Sequence, residues 1–169
     1  MVRALLLVMA LLLTAVGQTR ADPILYSNGP INGTANGTVS INLGTRASDT
    51  FTLANASSVT GAQVGIWTSG LDGPSGVQWS IGTTAFGSDK GSGTAGLTST
   101  FLNNSSGIQY YASTFSLNQQ LGSGTYWLTL QNASVPPNAT PPERRPHPLL
   151  PKCCLGDKFR SVLSVRAGQ

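Results

Sequence analysis

The sequence predicts an all-β protein: an antiparallel β-sandwich, jelly-roll-like, followed by a disordered C-terminal tail. Three observations lead there. Short runs alternate apolar and polar residues with a period of two. Gly, Pro, Asn, Asp and Ser cluster between the runs and supply turn chemistry. Charged residues make up only 9% of the chain, against roughly 25% in an ordinary soluble domain, so Ser, Thr and Asn carry its polarity. No stretch has the period of an amphipathic helix.

The chain begins with Arg3, then an apolar run from Ala4 to Val16, then small and polar residues. Thr19 and Ala21 stand at the −3 and −1 positions of a cleavage site, so residues 1–21 read as a secretory signal peptide that leaves Asp22 as the mature N-terminus. The apolar run is shorter than the ~20 residues a membrane-spanning helix needs. Contact with the membrane is therefore expected only during export.

Residues 22–135 read as the sandwich domain. Val39, Ile41 and Leu43 alternate with polar neighbours, as do Phe51 and Leu53. Ala62, Val64 and Ile66 follow, then Val77, Trp79 and Ile81. Tyr111, Ser113, Phe115 and Leu117 share a face, and so do Tyr126, Leu128 and Leu130. Ser27-Asn28-Gly29-Pro30, Asp72 to Gly76, Gly91-Ser92-Gly93 and Gly122-Ser123-Gly124 read as turns and loops. Strand spacing of this kind predicts roughly seven to nine strands.

After Val135 the composition changes abruptly. Seven of the ten prolines fall between Pro136 and Pro151, and the only Glu, the only His and both Cys also lie beyond Val135. Proline removes backbone donors and does not sit inside a sheet, so residues 136–169 are expected to be a Pro-rich, basic, disordered tail. The abruptness favours a shift of reading frame near Val135 over a natural linker, with a domain that is truncated as a result. The adjacent Cys153 and Cys154 could form only a strained bridge with each other.

The net charge of +4 is made at the two ends. Between residues 22 and 135 there are two basic residues, Arg46 and Lys90, against Asp22, Asp49, Asp72 and Asp89. A mildly acidic body without a basic patch excludes nucleic acid as a partner. The body also lacks His, Cys and Glu. That removes the usual nucleophile–base pairs and the imidazole or thiolate metal sites. Asp49, Asp72 and Asp89 read as residues of turns and strand starts whose carboxylates bond nearby backbone. A Ca²⁺ site at Asp72 or Asp89 would need a spaced ligand loop, which is absent. The expectation is no catalytic residue, no metal, no cofactor and no enzyme activity.

Trp79 falls in phase with the apolar positions and reads as core. Trp67 and Trp127 fall one residue out of phase, so alternation points them outward. Outward aromatic rings on a sandwich can stack on sugars or pack against partners. These two are the candidate binding residues.

Three segments together resemble a known family: Ala47 to Leu53 with Val59-Thr60-Gly61, Val77 to Thr84 running on to Phe86-Gly87-Ser88, and Gly124 to Asn132. They are similar to the ectodomains of bacterial PEP-CTERM proteins, which an exosortase sorts. The resemblance covers roughly residues 39–135 and lies in scaffold segments. It implies a secreted or cell-surface protein of a bacterial envelope, linked to exopolysaccharide or biofilm matrix. The chain lacks the Val-Pro-Glu-Pro motif, hydrophobic helix and Arg cluster of that sorting signal. The expected role is a non-catalytic structural or adhesive domain with extracellular polysaccharide or envelope proteins as partners. The alternative is a carbohydrate-binding module that uses Trp67 and Trp127.

Overall fold

The computed structural model describes residues 24–27, 29–31, 39–69, 72–136, 153–155 and 162–166. The leader, its cleavage site at Ala21 and Asp22, and most of the tail lie outside the described residues. What is described is an antiparallel β-sandwich without helix, as expected. Its strands are β1 (Ile24–Ser27), β2 (Val39–Ser40), β3 (Arg46–Leu53), β4 (Ser57–Thr68), β5 (Gly76–Gly82), β6 (Gly91–Gly96), β7 (Thr98–Ser105), β8 (Ile108–Leu121), β9 (Gly124–Ser134), β10 (Cys153–Leu155) and β11 (Val162–Arg166).

One sheet has four strands in the order β3-β9-β5-β6. The other is built around β4. On one side β4 pairs with β8 from Ser57↔Leu121 to Thr68↔Gln109, and β7 lies beyond β8. On its other side β11 and β10 pair with it end to end, and they pair in turn with β1 and β2. The pairings β3 with β9 and β4 with β8 nest one inside the other and wrap across both sheets, which is the jelly-roll-like feature. The inner strands close instead as the hairpins β5–β6 and β7–β8.

The core lies between the sheets and follows the alternation. Phe51, Val64, Ile66, Val77, Ile81, Leu128 and Leu130 are all at most 1% exposed. Each such side chain contributes about 1.5–3 kcal/mol by leaving water. A bulge between Val59 and Gly61 moves the phase of β4 by one, so that Val59 and Ala62 both point inward. Asn132 takes a φ of 49° where the pairing of β9 with β5 shifts. Asn tolerates that left-handed conformation better than most residues. At the start of β9, the Tyr126 hydroxyl donates to the Gly122 carbonyl at 3.2 Å and braces the β8–β9 turn, the arrangement known as a tyrosine corner in other sandwiches.

Three elements differ from expectation. Gly91-Ser92-Gly93, read as a turn, opens strand β6. Gly93 is paired with Trp79, and a Cβ there would stand 3.1 Å from the indole ring. The glycine therefore serves close packing and not turning. Val39, Ile41 and Leu43 do not form one alternating strand. β2 ends at Ser40, Ile41 is fully buried, and Leu43 is 72% exposed. Leu43 and Gly44 have φ of 51° and 83°, and the Thr45 N–H donates to the Asn42 carbonyl at 3.0 Å. Positive φ at both central residues marks a type I′ turn.

The third difference is in the tail. Cys153–Leu155 and Val162–Arg166, within the segment expected to be disordered, are strands of the larger sheet. Both follow the last proline, Pro151, so their backbone donors are intact. They supply the second hydrogen-bonded edge of β4, which would otherwise be unpaired along an apolar strand.

Candidate binding face on the four-stranded sheet

Alternation that sends Ala47 and Phe51, or Leu128 and Leu130, into the core sends their neighbours to the outer face. Strand register then sets those neighbours in rows. Arg46, Gln131, Gln78 and Thr94 stand side by side across β3, β9, β5 and β6. Ser48, Thr129, Ser80 and Ser92 form the next row. Thr129 donates to Ser48 Oγ at 3.0 Å, and Gln131 Nε2 and Asn132 Nδ2 donate to Gln78 Oε1 at 3.3 and 2.8 Å.

The β5–β6 loop, residues 83–90, closes over one end of these rows. It packs so tightly on β5 that a Cβ at Gly82 would fall 2.5 Å from the Gly87 backbone. Ser80 Oγ donates to the Gly87 carbonyl at 3.0 Å, and the Phe86 N–H donates to Ser48 Oγ at 3.3 Å. Asp89 ties the loop ends together by accepting from Thr83 N–H at 2.8 Å and Thr83 Oγ1 at 3.1 Å. The Thr83 N–H is the main reason that the Asp89 carboxyl titrates below the usual Asp range, with the Thr83 hydroxyl and Lys90 adding to it.

Between loop and sheet lies a cleft of about 380 Å³, lined by Arg46, Gln78, Ser80, Phe86, Ser92, Thr94, Thr129 and Gln131 among others. Arg46 is the only charged side chain that lines it among the described residues. Its guanidinium stands 4.7 Å from the centre of the Phe86 ring, a contact that stabilises by about 0.5–1 kcal/mol at an exposed site. Phe86 is 44% exposed and has a φ of 62°. For a bulky residue that conformation is a true outlier, with a cost of about 1–2 kcal/mol. Strain of this kind gathers at functional sites.

Trp67 and Trp127 both point outward as alternation predicts, and both are half-buried. The structure does not bring them together. Trp127 is on the four-stranded sheet, between Thr50 and Gly82, one row from Ser48 and Thr129. Trp67 is on the other sheet, opposite Tyr110. Ile31 lies over its strand at Gly65, where a Cβ would meet Ile31 Cγ2 at 3.2 Å. The Trp67 Nε1 is buried and makes no hydrogen bond. Trp79 is core, as expected.

Asp89 holds nearby backbone, as expected of a turn residue. Asp49 differs, since it sits in the middle of β3 opposite Leu128, on the inward side of the strand. Its carboxylate accepts from the Thr50 N–H at 2.8 Å. Burial, and then the charge of Asp49, hold the Tyr26 hydroxyl above its ordinary titration range. Among the described residues, no three His, Cys, Asp or Glu side chains gather where a metal could be held, and no helix is long and apolar enough to cross a membrane.

Sequence reasoning missed Arg46, Phe86 and the two polar rows. Arg46 is one of two cations between residues 22 and 135, which is a usable signal. The rows exist only through the pairing register, which alternation does not reveal. Comparison with protein families, with curated proteins and with solved structures found no match to this chain.

Proposed function

We propose that this chain is a non-catalytic domain, exported by a bacterium to the cell envelope or its exopolysaccharide matrix. There it adheres to polysaccharide through the outer face of the four-stranded sheet. The observation that carries the reading is the pair of registered rows from Arg46 to Thr94 and from Ser48 to Ser92, with the cleft beside them. Hydroxyls and amides repeat across the rows at the ~4.8 Å spacing of paired strands; Thr129 is buried, and the more open Gln78, Gln131, Ser92 and Thr94 offer donors and acceptors suited to sugar hydroxyls. Each such bond is worth only about 0.5–1.5 kcal/mol net. A repeating polymer held at many points is retained through avidity where a single sugar is not. The leader and the PEP-CTERM resemblance support the location.

The alternative, a carbohydrate-binding module built on outward tryptophans, is favoured only at Trp127, which adjoins the same rows. Affinity electrophoresis of the whole chain through gels that carry bacterial exopolysaccharides tests both readings. Retardation is expected, weakened by Trp127→Ala and unchanged by Trp67→Ala. A folded chain that migrates alike in every gel would rule out polysaccharide binding.

A further inference from the structure

We propose that the cleft beside Phe86 recognises acidic saccharides, and that Arg46 holds the carboxylate of a uronate residue. The inference rests on the polysaccharide reading above and narrows it to one substrate class.

Arg46 is exposed, its side chain makes no ion pair or hydrogen bond among the described residues, and its guanidinium lies over the Phe86 ring. An arginine without an acidic partner, on a body where acids outnumber bases, is out of keeping with its surroundings. The acids among the described residues do not serve it. Asp89 is bonded to Thr83 and stands 3.7 Å from Lys90, Asp49 is on the opposite side of β3, and the charge of Asp72 falls on Tyr111 of the other sheet. Among the described residues that line it, the cleft therefore carries one cation and no acid. Guanidinium binds a carboxylate through two parallel N–H donors, a geometry that lysine cannot supply. The contact with Phe86 restrains the guanidinium before ligand arrives, which lowers the ordering cost of binding. Phe86 itself is set in place by a strained backbone, by its N–H bond to Ser48 and by the loop closure at Asp89. Gln78, Gln131, Ser92 and Thr94 line the same cleft and face the sugar hydroxyls.

The test is calorimetric titration of the whole chain with trigalacturonate, with its carboxyl-reduced neutral counterpart, and with a short polyglutamate. Trigalacturonate is expected to bind about tenfold or more tighter than the neutral trisaccharide, the difference that one good charge-assisted pair supplies. Arg46→Gln is expected to erase that preference and Arg46→Lys to restore only part of it. Near-UV circular dichroism confirms that both variants are folded. Raising the salt from ~50 mM to ~500 mM is expected to weaken trigalacturonate alone, because an exposed charge pair is screened. Equal binding of the acidic and neutral trisaccharides, or an Arg46→Gln variant that keeps the preference, overturns this inference and leaves polysaccharide adhesion standing. Polyglutamate that binds as tightly as trigalacturonate overturns it in favour of an acidic peptide partner. No binding by any glycan, in solution or in the gels, removes both readings.

Discussion

Single residues in this protein act through backbone more than through charge. Asp89 is the clearest case. Its carboxylate gathers two donors from Thr83 and so closes the loop that carries Phe86. Its folded pKa is depressed, so its contribution to stability is present above the ordinary Asp value of about 3.9 and is lost as pH falls through the folded value. Asp89→Asn is therefore expected to lower the melting temperature at neutral pH and to flatten its fall at acid pH below about 4. A series of melting curves between neutral and acid pH checks this. An unchanged acid limb in the variant would place the titration elsewhere. Arg46 shows the same economy, since its position is set by a ring and not by a counter-charge.

Among the elements, the turns separate what is well matched from what is strained. Ser106-Gly107 joins β7 to β8 with φ of 53° and 81°, and Leu43-Gly44 repeats the pattern before β3. Glycine suits the second position of each, because it has no Cβ to clash at positive φ. Leucine suits the first position poorly and is exposed there. Leu43→Asn creates the Asn-Gly pair that type I′ turns favour. It is expected to stabilise the fold by about 1 kcal/mol, the size of the left-handed penalty removed. Urea unfolding measures this, and a shift toward lower midpoint would mean that Leu43 makes a contact the turn depends on. Strand β6 teaches the converse lesson, for its glycines belong to a strand because Trp79 needs the space over Gly93.

At the scale of the whole molecule, β4 decides how the sandwich is closed. It pairs on one side with β8 over its full length, and on the other with β10 and β11. Ending the chain at Val135 removes both of those partners and exposes an edge beside Val59, Ala62, Val64 and Ile66. Open edges of this kind recruit other chains. A chain ended there is expected to form dimers or larger species at concentrations where the whole chain stays monomeric. Light scattering after size exclusion reads the outcome directly, and a monomeric shortened chain would show that β4 needs no partner on that side.

The fold class, the phases of β3, β4, β5, β8 and β9 and the inward Trp79 were legible in the sequence because period-two burial is a local pattern. So was the outward direction of Trp67 and Trp127. Local pattern cannot show which strands become neighbours, because pairing joins residues far apart, such as Arg46 and Gln131. The rows of the candidate face, the separation of the two tryptophans onto different sheets and the sheet role of Gly93 were therefore decided by tertiary structure alone. The strands at 153–155 and 162–166 belong with these. Val162, Leu163 and Val165 do favour strand, but the segments are short and lie beyond a proline-rich stretch, and it is the open edge of β4 that gives them a place.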